Sequence, residues 1–67
     1  QMPTLLLWGD RDFVTPYADA LVAARYLEDG QLVTFNRCGH SPFRERPDAF
    51  AEVVLAWLNG YYVRTRV

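Results

Sequence analysis

Residues 3 to 16 of this chain read PTLLLWGDRDFVTP, and this stretch decides the fold class. A continuous apolar run, Thr4 to Trp8, ends at Gly9 and is followed by two carboxylates and an arginine at 10–12. An apolar run without polar alternation is typical of a strand that is covered on both faces, as strands in parallel sheets are. The stretch therefore predicts a buried strand that ends in a charged loop.

A helix is predicted after this loop. Thr15 is a suitable N-cap, and Pro16 is favourable at the first helical position. Alanines and leucines recur at helical spacing as far as Tyr26 or Leu27, and Gly30 is expected to stop the helix. The small alanines would let this helix lie close to a sheet.

The second half of the chain repeats the order of strand and helix. Residues 31–36 are rich in β-favouring side chains and predict a second strand, which a loop follows. A second helix is predicted from Pro47, with Gly60 as its stop. Its apolar stripe consists of Phe50, Val53, Val54, Trp57 and Leu58. The pattern makes no prediction for the tail, 61–67.

The element order predicts an α/β fold, a βαβα unit of two parallel strands and two helices. A strand, a crossover helix and a second strand imply parallel pairing with a right-handed connection. Two helices cannot cover both faces and both edges of such a sheet, so we expect at least one exposed apolar edge. The start at Gln1 and the 15% aromatic content suggest that residues 1–67 are a single partial domain of a larger core.

Composition argues against several classes of partner. The net charge is −1 with mixed signs, so neither a nucleic-acid partner nor an anionic membrane is expected. The longest apolar run is far shorter than a membrane span, and no signal peptide is visible. The single cysteine, Cys38, fits a reducing compartment, so we expect a cytoplasmic protein.

Two strand ends carry the residues that could perform chemistry. Asp12 follows the first predicted strand and His40, the only histidine, follows the second. Loops after neighbouring parallel strands, about 4.8 Å apart, emerge at the same edge, where these side chains could meet. A carboxylate at an imidazole nitrogen fixes the tautomer and stabilises the imidazolium, which is the acid–base part of a nucleophile–His–Asp triad.

Both stretches resemble the C-terminal segment of the α/β-hydrolase fold enzymes. PTLLLWGDRDFVTP resembles their penultimate core strand with its G-x-x-D acid loop. CGHSPFRERPDAFAEVVLAWL resembles their last strand exit, with its G-H histidine, and their terminal helix. The resemblance covers about residues 2–58 and implies that Asp12 is the triad acid and His40 the general base. Asp10 matches a variable position of the family.

The resemblance implies hydrolysis of a small carbonyl substrate, such as an ester, lactone, amide or C–C compound, without a metal or organic cofactor. In this family the nucleophile elbow, G-x-S-x-G, lies upstream, and the 67 residues contain no such motif. Ser41 is no substitute, because it directly follows His40 and precedes a proline. We therefore expect the missing N-terminal part of the domain to be the essential partner, and the chain alone to be inactive.

Several alternatives remain open. The missing nucleophile could be an Asp, as in dehalogenases and epoxide hydrolases. The chain could also be a non-catalytic truncated fragment or a small interaction module.

Other side chains near the two loops carry weaker hypotheses. Cys38 is more plausible as a small buried residue than as a nucleophile or zinc ligand. Arg11 is expected to pair with Asp10 or Glu45. A possible substrate pocket involves Phe13, Ser41 and Phe43.

Overall fold

The computed structural model describes residues 2–61 and 63–67, so Gln1 and the tail residue Tyr62 lie outside the described residues. The elements, in chain order, are β1 (Thr4–Gly9), α1 (Tyr17–Arg25), β2 (Gly30–Phe35), α2 (Pro42–Glu45) and α3 (Pro47–Leu58). The predicted α/β class and βαβα order are confirmed. The prediction of two helices is wrong in one respect, because the short α2 is a third helix.

The two strands pair in parallel, as expected. Their register runs from Thr4 opposite Gly30 to Gly9 opposite Phe35, so both strands end at the same level. The loops that follow them therefore emerge side by side at one edge of the sheet. α1 lies against this sheet through Ala20, which is completely buried, so a small residue does stand where the helix approaches the strands.

The tail pairs with the free edge of β2. The amide of Thr34 donates to the carbonyl of Thr65 at 2.8 Å, and the amide of Val67 donates to the carbonyl of Thr34 at 2.8 Å. Thr34 and Arg66 form a parallel bridge. The tail therefore covers one of the two sheet edges that two strands alone would leave exposed.

The core lies between the sheet, α3 and the tail. Its buried residues are Val33, Phe35, Cys38, Val53 and Val63. Leu5 and Leu7 of β1 pack against this cluster from the neighbouring strand. Val63 of the tail is thus part of the hydrophobic core.

Val63→Ala is expected to lower the free energy of unfolding by about 2 kcal/mol, because it removes two methyl groups from the core. Val63 is only 3% exposed, whereas Tyr61, two residues earlier, is 73% exposed. Tyr61→Ala is therefore the control and should change stability by less than about 0.5 kcal/mol. Urea unfolding measures both variants, and equal small effects would contradict the packing of the tail.

The predicted N-cap and the predicted stop of α1 are wrong. Its N-cap is Pro16 rather than Thr15, and no side chain caps it. The amide of Thr15 instead donates to the carboxylate of Asp12 at 2.8 Å, so this residue belongs to the loop after β1. At the other end, α1 stops at Arg25, and Gly30 is the first residue of β2 instead of the helix stop.

α3 has the predicted bounds and stop. It runs from Pro47 to Leu58, and Gly60 follows with a positive φ of 76°, which glycine adopts without steric strain. The predicted stripe is confirmed for Val53, which is buried, and for Phe50 and Trp57, which pack against the core; Leu58 at its end is exposed to solvent. In the described part of the chain, no helix is long and apolar enough to cross a membrane.

Candidate active site

Asp12 lies in the loop after β1 and is 7% exposed. Its Oδ1 accepts hydrogen bonds from the amides of Val14 at 2.9 Å and Thr15 at 2.8 Å. The carbonyl of Thr15 in turn accepts a hydrogen bond from the indole Nε1 of Trp8 at 3.0 Å. The amide contacts fix the orientation of the carboxylate within its own loop. The contact with Trp8 holds that loop against β1.

The second carboxylate oxygen of Asp12 contacts His40. Oδ2 lies 3.0 Å from the imidazole Nδ1. Because an ionised carboxylate only accepts hydrogen bonds, the proton in a neutral ring belongs on Nδ1 and the lone pair on Nε2. In this arrangement, Nε2 of a neutral His40 can accept a proton.

Asp12 is held in its ionised form. Burial raises the pKa of its carboxyl group, but hydrogen bonds from the Thr15 amide, His40 and the Val14 amide together lower it below the ordinary value of 3.8. A histidine that accepts a proton becomes an imidazolium, and the negative charge of Asp12 stabilises this positively charged form of His40.

The two loops touch through their backbones at Gly9. A Cβ at this position would lie 2.6 Å from the carbonyl carbon of Cys38 and closer still to the carbonyl oxygens of Cys38 and Gly39. The amide of Arg11 donates to the carbonyl of Cys38 at 2.8 Å. A residue with any side chain at position 9 would force the histidine loop away from Asp12.

Asp10 has a different set of partners. Its Oδ1 accepts the amide of Arg37 at 2.8 Å, and its Oδ2 lies 3.2 Å from Nη1 of Arg66. Arg37 has a φ of 53°, in the left-handed region, so Asp10 supports the tight turn after β2. The expectation that Arg11 pairs with Asp10 is thus wrong, because the tail residue Arg66 takes that place.

Burial raises the pKa of Asp10 as well, but hydrogen bonds to its carboxylate lower the pKa by more. The hydrogen bond from Arg66 and the backbone hydrogen bonds of residues 37 and 38 lower the pKa below the ordinary value of 3.8. Both carboxylates of this loop are thus stabilised in the ionised form.

A comparison with family models assigns the segment that contains this site. The model described as "Alpha/beta hydrolase family" matches residues 1–53. The chain belongs to the alpha/beta hydrolase family. Both loops of the site, with Asp12 and His40, lie within the matched residues.

Three differently named enzymes are among the curated proteins to which this alpha/beta hydrolase chain is similar. It is 31% identical over 58 residues to monoacylglycerol lipase ABHD6 of Mus musculus, covering 87% of this chain and 17% of the relative. It is 34% identical over 61 residues to a proline iminopeptidase of Lactobacillus crispatus, covering 91% of this chain and 20% of the relative. It is 40% identical over 48 residues to a pimeloyl-[acyl-carrier protein] methyl ester esterase of Nitrosomonas europaea, covering 72% of this chain and 19% of the relative.

The chain thus spans about a fifth of the length of these relatives. No solved structure matches it.

The side chains considered as a substrate pocket lie at the surface of this hydrolase segment. Phe13, directly after Asp12, is 92% exposed; Phe43 is exposed and Ser41 partly buried. A cavity of about 200 Å³ lies elsewhere, between α3 and the tail. It is lined by Glu52, Val53, Ala56, Val63, Arg64 and Val67.

Cys38 has the environment of a core residue. It is completely buried, and burial raises the pKa of its thiol, with a smaller contribution from the charge of Glu45. A protonated, buried thiol is a poor nucleophile and a poor metal ligand. Among residues 2–61 and 63–67, no three His, Cys, Asp or Glu side chains come close enough together to bind a metal ion.

The sequence patterns did not predict two contacts of these loops, one made by Arg66 with the acid loop and one made by Glu45 with the histidine loop. Arg66 binds Asp10 from the tail, and no local pattern predicts a contact between residues 56 positions apart. Glu45 accepts the amide of Gly39, although it was expected to be a partner for Arg11. Glu45 lies four positions after Ser41, one more than in a capping box, so the only sequence signal for this contact is the general preference of acidic side chains for the first turn of a helix.

Stability is expected to fall as the pH drops below about 4. Folding lowers the pKa values of Asp10 and Asp12 from 3.8, so their contribution is present above that value and is lost as the pH falls through the lower folded values. Asp12→Asn should therefore show a shallower decline of the urea midpoint between about pH 5 and pH 2 than the wild type. Asp19→Asn, at an exposed position in α1, is the matched control, and an unchanged slope in Asp12→Asn would contradict the expectation.

Proposed function

We propose that residues 1–67 supply the acid and the base of a nucleophile–His–Asp triad in a hydrolase, with Asp12 as acid and His40 as base. The observation that carries the proposal is the 3.0 Å contact between Asp12 Oδ2 and His40 Nδ1. The second oxygen of Asp12 is held by two backbone amides, so the carboxylate can orient the ring without turning away from it. The match to the family supports the same assignment.

In the proposed reaction, Nε2 of His40 takes the proton of the nucleophile as it attacks the carbonyl carbon. Asp12 stabilises the imidazolium that forms. His40 then gives the proton to the leaving group as the carbonyl–leaving-group bond breaks, which leaves an acyl enzyme. In the second half, His40 activates a water that releases the acid and restores the nucleophile.

The nucleophile and the oxyanion-binding amides belong to a part of the domain outside these 67 residues. The chain contains no G-x-S-x-G motif, and it covers 17–20% of three relatives that carry enzyme names. We propose that this segment completes its site only with the N-terminal part of the domain. The open edge of β1, which has no strand partner among the described residues, is the surface for that part of the sheet.

An ester is the proposed substrate class. Two of the three relatives are named as a lipase and a methyl ester esterase and one as an iminopeptidase, so we place an ester first and an amide second, ahead of a lactone or a C–C bond. Phe13 and Phe43 follow the acid and the base closely in sequence and are exposed, so they are the proposed contacts for an apolar acyl group. A cytoplasmic location is proposed as well, since the only cysteine is an unpaired, buried thiol.

Turnover of activated esters tests the proposal. The 67-residue chain and a longer polypeptide that contains it are assayed side by side on p-nitrophenyl esters of increasing acyl length. We expect turnover by the longer polypeptide alone, and its upstream sequence should contain a strand followed by G-x-S-x-G and a helix. Turnover by the 67 residues alone would contradict the proposal. A longer polypeptide that converts only haloalkanes or epoxides would indicate an Asp nucleophile; it would overturn the ester substrate and the proton transfer from the nucleophile, and would leave Asp12 and His40 as the pair that activates the water.

A further inference from the structure

Glu45 binds the backbone amides on both sides of His40. Its Oε1 lies 3.0 Å from the amide nitrogen of Gly39, and its Oε2 lies 3.4 Å from that of Ser41. A single carboxylate therefore spans the residue that carries the imidazole. Hydrogen bonds from amides to a charged acceptor are stronger than those to a neutral one.

The short helix α2 places Glu45 for these contacts. The amides of Arg44 and Glu45 both donate to the carbonyl of Ser41 at 2.9 Å, which closes the first turn directly after the histidine loop. Pro42 is buried at the first position of this turn, where its fixed φ suits a helix. The backbone of Glu45 is thus bonded to the same loop residue that its side chain binds.

The lack of a side chain at Gly39 leaves room for the carboxylate. A Cβ on Gly39 would lie 2.9 Å from Oε2 of Glu45, closer than a relaxed contact allows. The opposite side of the loop is held by β1, because the carbonyl of Cys38 accepts the amide of Arg11 and lies against Gly9. The histidine loop is therefore fixed between the acid loop and Glu45.

We propose that Glu45 is a positioning residue for the base, and that its carboxylate fixes the side chain of His40 against Asp12 by holding the Gly39 and Ser41 amides. The catalytic consequence rests on the proposed function. The side chain of His40 is 53% exposed, so packing alone restricts it weakly. Two hydrogen bonds to its flanking amides supply the restriction that burial does not.

Two substitutions separate the carboxylate from the size of the side chain. Glu45→Ala removes both acceptor oxygens. Glu45→Gln keeps the size and one acceptor but turns an NH₂ group toward one of the two amides, so it should retain part of the function. Glu28→Ala, at an exposed position before β2, is the matched control.

The first measurement reports on the loop without requiring any hydrolase activity. In ¹⁵N-labelled protein at neutral pH, the amides of Gly39 and Ser41 should exchange with solvent about tenfold faster in Glu45→Ala than in the wild type, and to a smaller extent faster in Glu45→Gln. The Nδ1 proton of His40 should exchange faster as well, because its contact with Asp12 is held less firmly. Unchanged exchange at all three protons, with circular dichroism that shows folded variants, would overturn the proposal.

The second measurement is kinetic and uses the longer polypeptide. We expect kcat to fall about 10- to 100-fold in Glu45→Ala with KM within about twofold, because a base displaced by about 1 Å loses rate without losing substrate binding. Glu45→Gln should recover part of the loss. Wild-type kcat in Glu45→Ala, or a loss confined to KM, would overturn the proposal.

Failure of the proposed function would look different. If the longer polypeptide shows no hydrolase activity while the three protons respond as expected, the role of Glu45 in placing His40 stands and the assignment of the reaction falls.

Discussion

Asp12→Asn is expected to lower kcat of the longer polypeptide by about 10⁴-fold, the size of effect seen when a triad acid loses its charge. The contacts of this side chain give the reason. Two amide donors, from Val14 and Thr15, point at Oδ1, so the oxygen of an Asn would occupy that place and its NH₂ group would face His40. Nδ1 would then have to accept a hydrogen bond, which puts the ring proton on Nε2, where the base needs a lone pair.

Two further variants test the assignment of the acid. His40→Ala should lose a similar factor, and combining it with Asp12→Asn should add little, because the two residues act as one unit. Asp10→Asn should lose less than about tenfold, since its remaining oxygen can still accept the amide of Arg37. Stopped-flow or steady-state ester hydrolysis measures all of them, and equal losses from Asp10→Asn and Asp12→Asn would show that the acid is wrongly assigned.

Gly9→Ala is expected to destabilise the fold by about 3 kcal/mol or more, at the upper end of what overpacking costs. The added methyl group would lie 2.6 Å from the carbonyl carbon of Cys38. Backbone atoms cannot move aside as the end of a flexible side chain can, so the strand ends must separate. This separation also pulls His40 away from Asp12, and activity should fall together with stability.

Gly60→Ala is the matched control for this prediction. A Cβ at Gly60 meets nothing within 4 Å, and the only cost is the positive φ of 76°, about 1–2 kcal/mol for an alanine. Urea unfolding and the Nδ1 proton signal of His40 should therefore distinguish the two variants. A Gly9→Ala protein with wild-type stability and an intact His40 signal would contradict the close contact between the two loops.

The main elements of the fold follow from local patterns. The apolar run 4–8, the stripe of α3 and the glycine and proline residues between them predict two strands and two helices at nearly the observed places. Parallel pairing then follows from the length of the crossover between the strands, because a short hairpin cannot connect parallel strands. That rule also predicts that the loop with Asp10 and Asp12 lies beside the loop with His40, and the family resemblance then selects Asp12 as the candidate acid.

The short helix α2 and the pairing of the tail do not follow from such patterns. Four residues, Pro42–Glu45, are too few for a helical period to show, and the turn is stabilised by contacts of Glu45 with the loop before it. The tail pairs with β2 because that strand has a free edge. The bridge between Thr34 and Arg66 joins residues 32 positions apart, which is beyond the reach of any local rule.

The amino-acid sequence therefore establishes the α/β class, the order of the elements and the meeting of an acid loop with a histidine loop, because periodicity and chain connectivity are local properties. The resemblance to the family selects Asp12 from the two carboxylates of the acid loop, and only the tertiary structure shows the contacts that distinguish them. Asp10 and Asp12 are chemically identical, but Asp12 faces His40 and two amides, whereas Asp10 faces Arg37 and Arg66. The difference lies in partners brought from distant parts of the chain, since a carboxylate takes its function from the groups that fold against it.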